Sequence, residues 1–387
     1  MAPQRATHDE AADRFECSCP RLGCKLRGEP QQLSRTVAPA EPVRTRAYSE
    51  NSRLINRCAG FGAVCSKWVV PLLPSTMRRP TELDCTRREA ILLGAAASVA
   101  PAALRAAPAP SGTRLILLGT KGGPTPSKAR APACAVLMVE GSPYLIDCPD
   151  GTARQLALAG VDLTRIGPIF LTHHHSDHMA GLGALLLLAW GAGLKTPVQV
   201  YGPPPVRDIV RAELAAGLPD IEYRIREEGR PDLRKLVEAR TVTKAGLVVG
   251  GPPVRVTCAK VNHYTVPALA YRFDTRDRSI VYSGDTAPSP ALIALARGAD
   301  VLVHEVMLAS EIARLADANA TTLRDHLLKS HTTTEQLGQI AAAAGVRTVV
   351  LTHLVPAFPD ITDDMWAAGV RRYFDGKIIV GRDLMEI

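Results

Sequence analysis

Four of the chain's ten histidines fall in one heptapeptide, Thr172-His173-His174-His175-Ser176-Asp177-His178. Imidazole and carboxylate are the side chains that hold zinc, manganese or iron through nitrogen and oxygen. In an extended loop, alternating His173 and His175 aim the same way, while Asp177 and His178, at the turn into a helix, face a neighbouring point. That spacing suits two adjacent cations. A merely solvated polar loop would not be matched by isolated His and Asp residues at the ends of later strands. Such residues occur: His263 after the apolar run 254–261, Asp285 in Tyr282-Ser283-Gly284-Asp285-Thr286, and His353 in Leu351-Thr352-His353-Leu354.

The elements that must carry these residues begin at Thr113. Apolar runs at 114–119, 135–140 and 144–147 read as strands, the last two as a hairpin about Gly141-Ser142. A helix over 151–160 ends at a glycine, a strand over 166–172 leads into the histidines, and an apolar helix follows over 180–190. Later strands are expected at 198–201, 254–261, 269–273, 279–282, 301–304 and 348–352, with helices at 203–216, 290–297 and 334–344. Many strands with interspersed helices, without an internal linker or repeat, imply sheets covered by helices.

The H-x-H-x-D-H string, followed in order by a lone His, an S-G-D-T Asp and a T-H-L His, resembles the metallo-β-lactamase superfamily of dinuclear metallohydrolases. The resemblance spans about residues 113–387. It implies an α/β fold, an αββα sandwich with two sheets back to back, helices outside and metals at one edge. It further implies that His173, His175 and His263 bind a first zinc and that Asp177, His178 and His353 bind a second. Asp285 would bridge them. Two Zn²⁺ ions are the expected cofactors, and manganese or iron also suits His and carboxylate donors. Metals about 3.5 to 4 Å apart lower the pKa of a shared water enough for hydroxide to exist at neutral pH. Asp147 resembles the family's buried Asp that braces the ligand loop, and His174 is expected to be structural.

A second pair of segments narrows the branch. His304-Glu305, at the end of a strand, and His331-Thr332-Thr333-Thr334-Glu335, opening a helix, resemble the H-E-A-T and H-S-T pair of the tRNA 3′-processing endonuclease (RNase Z) branch. That branch also includes phosphodiesterases and arylsulfatase-like proteins. An expelled alkoxide needs a proton, and His331, kept basic by Glu305, would supply it. The catalytic set expected is therefore Asp177, His331 and Glu305, with His304 and His326 left to packing or the surface.

These readings predict a dinuclear zinc hydrolase in which metal-bound hydroxide attacks a phosphodiester or a related aryl sulfate or carboxylic ester. The alternative is a tRNA 3′-processing endoribonuclease; a lactam hydrolase and a non-catalytic metal-binding protein come after it. Only 21 residues separate His263 from Asp285, too few for the RNA-binding arm of that branch. The segment 207–260 holds 11 basic and 8 acidic residues. It reads as a solvated face, or as a lid over the metals hinged at 201–205, rather than a phosphate track. The expected partner is thus a small or nucleotide-like ester, with a homodimer left open.

Composition agrees with that partner. The 387-residue chain carries 46 Lys and Arg against 38 Asp and Glu, a net +8, but residues 1–106 hold 16 and 10 of these. The remainder therefore has 30 against 28, near +2, and aromatics are only 4% of the chain, which excludes a broad base-stacking platform. Six of nine cysteines also precede residue 107, leaving Cys134, Cys148 and Cys258, which cannot all pair. Cys17, Cys19 and Cys24 lack the second half of a zinc knuckle. Residues 1–76 read as a disordered or mis-assigned leader, with translation starting at Met77. Residues 77–108, with Arg87-Arg88 before an apolar stretch and small residues, read as a twin-arginine signal. The expected domains are 1–76, 77–108 and a hydrolase over 109–387, with a periplasmic or secreted product. No apolar run reaches membrane-span length.

Overall fold

Leu115 and Leu117 of β1 (Thr113–Gly119) pack into the layer between two sheets, whereas Ile116 and Leu118 pack beneath outer helices. A strand buried on both faces needs a continuous apolar run, so Leu115 to Leu118 contains no polar residue. The computed structural model describes residues 112–315 and 322–387. The expected leader, 1–76, and signal, 77–108, lie outside the described residues.

Along the chain follow β2 (Cys134–Val139), β3 (Ser142–Ile146), β4 (Ile169–Phe170), β5 (Val198–Gly202), β6 (Val237–Thr241) and β7 (Gly246–Val249). Then come β8 (Arg255–His263), β9 (Val266–Asp274), β10 (Ser279–Tyr282), β11 (Val301–Met307), β12 (Thr348–Val355), β13 (Lys377–Val380) and β14 (Met385–Glu386). One sheet has the order β14-β1-β2-β3-β4-β5-β6 and the other β13-β12-β11-β10-β9-β8-β7. Helices Thr152–Leu158 and Leu182–Ala192 cover the first sheet; Pro290–Ala296, Thr334–Ala344 and Asp363–Arg371 cover the second. This is the αββα sandwich that the sequence led us to expect.

Aromatic rings fasten the two sheets beneath the histidine loop. Phe170 stacks on Tyr201 at 5.1 Å and meets Tyr271 and Phe273 edge-on at 5.4 and 5.2 Å. The Tyr271 hydroxyl donates across the layer to the Leu171 carbonyl at 2.9 Å, two residues before His173.

Three expectations change. The strand into the histidines shortens to Ile169–Phe170, because Pro168 has no N–H to continue the ladder. Segment 207–260 is not a lid: the helix Val206–Ala216 packs on β5 and β6, and β6 lengthens the first sheet. Helices Leu218–Glu228, Leu323–Ser330 and Asp363–Arg371 went unread because each presents only a thin apolar stripe among charged residues. Among the described residues, no helix is long and apolar enough to cross a membrane.

The short helix Ser176–Met179 is clamped by its neighbour: Cys148 N–H donates to the His178 carbonyl at 2.7 Å and Gly181 N–H to the Cys148 carbonyl at 2.9 Å. A Cβ on Gly181 would lie 2.0 Å from the Pro149 carbonyl oxygen. Backbone cannot yield as a side chain does, so Gly181→Ala is expected to lower stability by about 1 to 3 kcal/mol in denaturant unfolding; an unchanged midpoint would refute that packing.

Candidate metal centre

Three histidines are oriented by hydrogen bonds that place one ring proton outward. His178 Nδ1 donates to Asp147 Oδ2 at 2.9 Å. His263 Nδ1 donates to the Ser330 carbonyl at 3.1 Å. Thr172 Oγ1 donates to Asp147 Oδ2 at 2.9 Å and so accepts from His173 Nδ1 at 3.1 Å. A neutral imidazole with a protonated Nδ1 keeps a lone pair on Nε2. The bonds therefore assign three Nε2 lone pairs to face one another across the end of the sandwich.

Backbone geometry completes the set. His353 is the extra residue where the β11–β12 register shifts, between the pairs Glu305↔Thr352 and Val306↔Leu354, and its φ is 45°. A bulge turns a side chain off the face that the alternation assigns it, and here it aims the ring at Asp177 Oδ2, 3.4 Å from Nε2, and at Asp285 Oδ2, 3.3 Å. Asp285 follows Gly284, whose φ of 58° and close approach to Thr172 favour glycine. Its Oδ2 lies 3.4 Å from His178 Nε2, 3.8 Å from His173 Nε2 and 3.9 Å from His263 Nε2.

Two donor groups form at this point: His173 with His175 and His263, and Asp177 with His178 and His353. Asp285 reaches donors of both. His175 Nδ1 lies 3.1 Å from both His173 Nε2 and His263 Nε2 and has at most one proton to offer the two. His178 Nε2 and Asp285 Oδ1 are buried without a hydrogen-bond partner. Convergent buried lone pairs are costly unless a cation takes them, so these residues fit a metal.

Burial and neighbouring charge act differently on the individual donors. Burial holds His173 well below the ordinary imidazole range and lowers His263 to about 4, keeping both neutral as ligands must be. Burial also disfavours charge on His178, but the Asp285 and Asp147 carboxylates outweigh it and raise its pKa. Asp285 lies well below the carboxylate range: burial opposes this, and His353 and His178 prevail.

Beside the metal centre, His331 Nδ1 lies 3.3 Å from Glu305 Oε1. Burial disfavours the His331 cation, yet the Glu305 carboxylate raises its pKa to about 9. Glu305 Oε1 also accepts from Thr286 N–H at 3.2 Å and Thr332 N–H at 3.0 Å, joining the Asp285 loop to the His331 loop. His174 turns away, donating to the Pro203 carbonyl at 2.8 Å, and His304 is fully buried. His326, expected to pack or to face solvent, instead lines the cavity over the centre, as does Lys121. Lys121 had a signal in the glycine-rich turn Gly119-Thr120-Lys121-Gly122-Gly123; His326 had none.

The profile of the beta-lactamase superfamily domain matches residues 143–354, more than half of the chain. The chain belongs to the metallo-β-lactamase superfamily. Its donor groups and this membership make it a metal-dependent hydrolase. A Ribonuclease Z of Mycobacterium avium is 34% identical over 275 residues, 70% of this chain and 96% of that protein. One from Mycobacterium marinum is 34% identical, with 97% of its length matched. Among solved structures, human tRNase Z, short form, has TM-score 0.51 at 22% identity, covering 71% of this chain and 98% of its own. The metallo-β-lactamase fold protein YhfI of Bacillus subtilis has TM-score 0.53 at 21% identity, with 71% and 98% coverage. At these identities the structures establish the fold.

The relatives correct one expectation. The relatives matched over 96% and 97% of their lengths are named Ribonuclease Z. The twin-arginine signal and periplasmic product are not supported by relatives named Ribonuclease Z, and we withdraw them.

If Asp147 orients His178 and the loop of His173, Asp147→Ala should weaken divalent-metal affinity about 10- to 100-fold in competition with a chromophoric chelator. His174→Ala should leave it unchanged. Equal affinities for both variants would remove Asp147 from that role.

Proposed function

We propose that this protein is a dinuclear zinc phosphodiesterase that cuts RNA as its Ribonuclease Z relatives are named for doing, with the 3′ end of precursor tRNA as substrate. The observation that carries the reading is that His331, held by Glu305, shares one cavity with two metal-donor groups. His173, His175 and His263 would hold one zinc, Asp177, His178 and His353 the other, with Asp285 between them. When bound, the pair supplies Lewis-acid chemistry at phosphorus. Manganese or iron also suits these donors.

The chain's own residues supply the rest. Asp285 and Asp177 place negative charge among the imidazoles and would partly neutralise cations held there. His331 carries a proton at neutral pH because Glu305 faces it, and it delivers that proton to the departing ribose oxygen. Glu305 keeps the ring in place through the two loops it joins.

A second reading, hydrolysis of a small phosphodiester, is favoured by the β8–β9 connection. His263 pairs with Val266, so Tyr264 and Thr265 alone make the turn, and no arm extends there. Trailer-bearing precursor tRNA and bis(p-nitrophenyl) phosphate separate the two readings, with an aryl sulfate, a carboxylic ester and a cephalosporin as controls. Release of the trailer at the tRNA 3′ end supports the first reading, and turnover of the diester alone the second. Zinc-replete protein inert towards both would overturn them together.

His331→Ala is expected to lower kcat about 10²- to 10⁴-fold with zinc content unchanged; parallel loss of zinc would make the residue structural. Glu305 raises the pKa of a group required in its protonated form, so Glu305→Gln should move the alkaline limb of the pH–rate profile to lower pH. A limb that stays in place would separate Glu305 from the proton donor.

A further inference from the structure

The cavity over the metal centre, about 640 Å³, is lined both by candidate donors and by apolar side chains. Lys121 is the only Lys or Arg among the described residues that line it. Lys121 is fixed to the same strand as His353: it bridges Leu354, Gly122 N–H donates to the Leu354 carbonyl at 3.2 Å, and Leu354 N–H to the Thr120 carbonyl at 2.9 Å. Its ammonium donates to the Gly122 and Gly123 carbonyls at 2.9 and 2.8 Å. An ammonium has three donors, so one remains. Asp177 is near enough to favour its charge against the burial that lowers its pKa.

Apolar side chains line the same cavity, among them Leu315, Leu323, Leu327, Val355 and Phe358. Leu327 and Val355 belong to a small hydrophobic cluster with Met307 and Ile312, which backs the wall. Phe358 is pinned by Arg314, whose guanidinium lies 4.3 Å from the ring centre. Arg314 is held in turn by Asp360, at 2.9 and 3.0 Å, and Glu311, at 2.8 Å. A rigid apolar wall in an active-site cavity regains the cost of its exposure only from an apolar group on the ligand. A single fixed cation serves one phosphate, whereas a nucleic-acid backbone is tracked by a series of them.

We infer that this cavity selects phosphodiesters bearing one compact aromatic arm, an aryl group or a nucleobase, with Lys121 on a non-bridging phosphate oxygen and the arm against the Phe358 wall. The inference rests on the phosphodiesterase reading above. It places the discrimination within one nucleotide of the scissile bond.

Calorimetric titration of the zinc-loaded full chain with two slowly hydrolysed diesters, methyl phenyl phosphate and dimethyl phosphate, tests it. Each carries one negative charge. The phenyl diester should bind about tenfold more tightly. Phe358→Ala should erase most of that ratio while leaving dimethyl phosphate affinity unchanged, and Lys121→Met should weaken both ligands by a similar factor. Leu323→Ala provides a second lesion in the wall should Phe358→Ala unfold. Equal affinities for the two diesters in the unaltered protein, or a ratio that survives both wall variants, would overturn the inference. Failure of the phosphodiesterase reading looks different: the preference for the phenyl diester would persist while bis(p-nitrophenyl) phosphate went unhydrolysed.

Discussion

The carboxylate of Asp147 ties together the pieces on which the metal centre is built. Its backbone stands in the left-handed region, at φ 60°, where β3 has just ended. There Oδ1 accepts from Thr172 N–H at 2.7 Å, while Oδ2 accepts from the Thr172 hydroxyl and from His178. One buried group thereby sets the end of β4, the first histidine of the loop through Thr172, and the ring of His178, five residues after that histidine. A buried carboxylate is costly unless its lone pairs are met, and here the donors that meet it are the residues that must not move. Positive φ at a residue with a Cβ is uncommon; the three hydrogen bonds hold it.

The remaining donors arrive from the other sheet by independent routes. His263 comes at the end of β8, Asp285 after β10 and His353 from the bulge in β12. Seven candidate donors from two sheets meet only because the layer between them is rigid. The Phe170, Tyr201, Tyr271 and Phe273 rings pack that layer, and the Tyr271 hydroxyl and the Leu269 N–H bond directly to Leu171 and Thr172. Like-polarity lone pairs at about 3 Å repel one another, and a cation held among them would turn that repulsion into ligation. Folding and metal affinity are coupled for that reason.

Much of this was legible in the chain itself. The apolar runs at 114–119, 135–140, 301–304 and 348–352 announced strands buried on both faces, since helices cover one side and the second sheet the other. The seven candidate donors were legible because each lies at or just beyond the end of such a run or in the short helix that follows one, and the structure brings them together. Elements at the margins were missed: β6 and β7 lie at sheet edges and expose half their residues, so their patterns differ little from those of loops. The supposed lid failed similarly, because its charged composition could not tell a helix packed on β5 and β6 from a flap over the metals.

Residue type and order determined which chemistry is on offer: histidines and carboxylates in that succession are metal donors by type, and the segments of Glu305 and His331 supply a carboxylate and an imidazole that lie 3.3 Å apart. Tertiary structure decided everything that depends on distance between segments. It turned His353 inward through a bulge that no period of two predicts, brought His326 and Lys121 to the cavity from segments about 200 residues apart, and put a lysine and a set of apolar side chains in one cavity. Local pattern reports which face of an element is buried, because burial repeats with the element's own period. It does not report which residues from distant loops share a cavity, because that is fixed by how two sheets stack and by which loop ends are tied together.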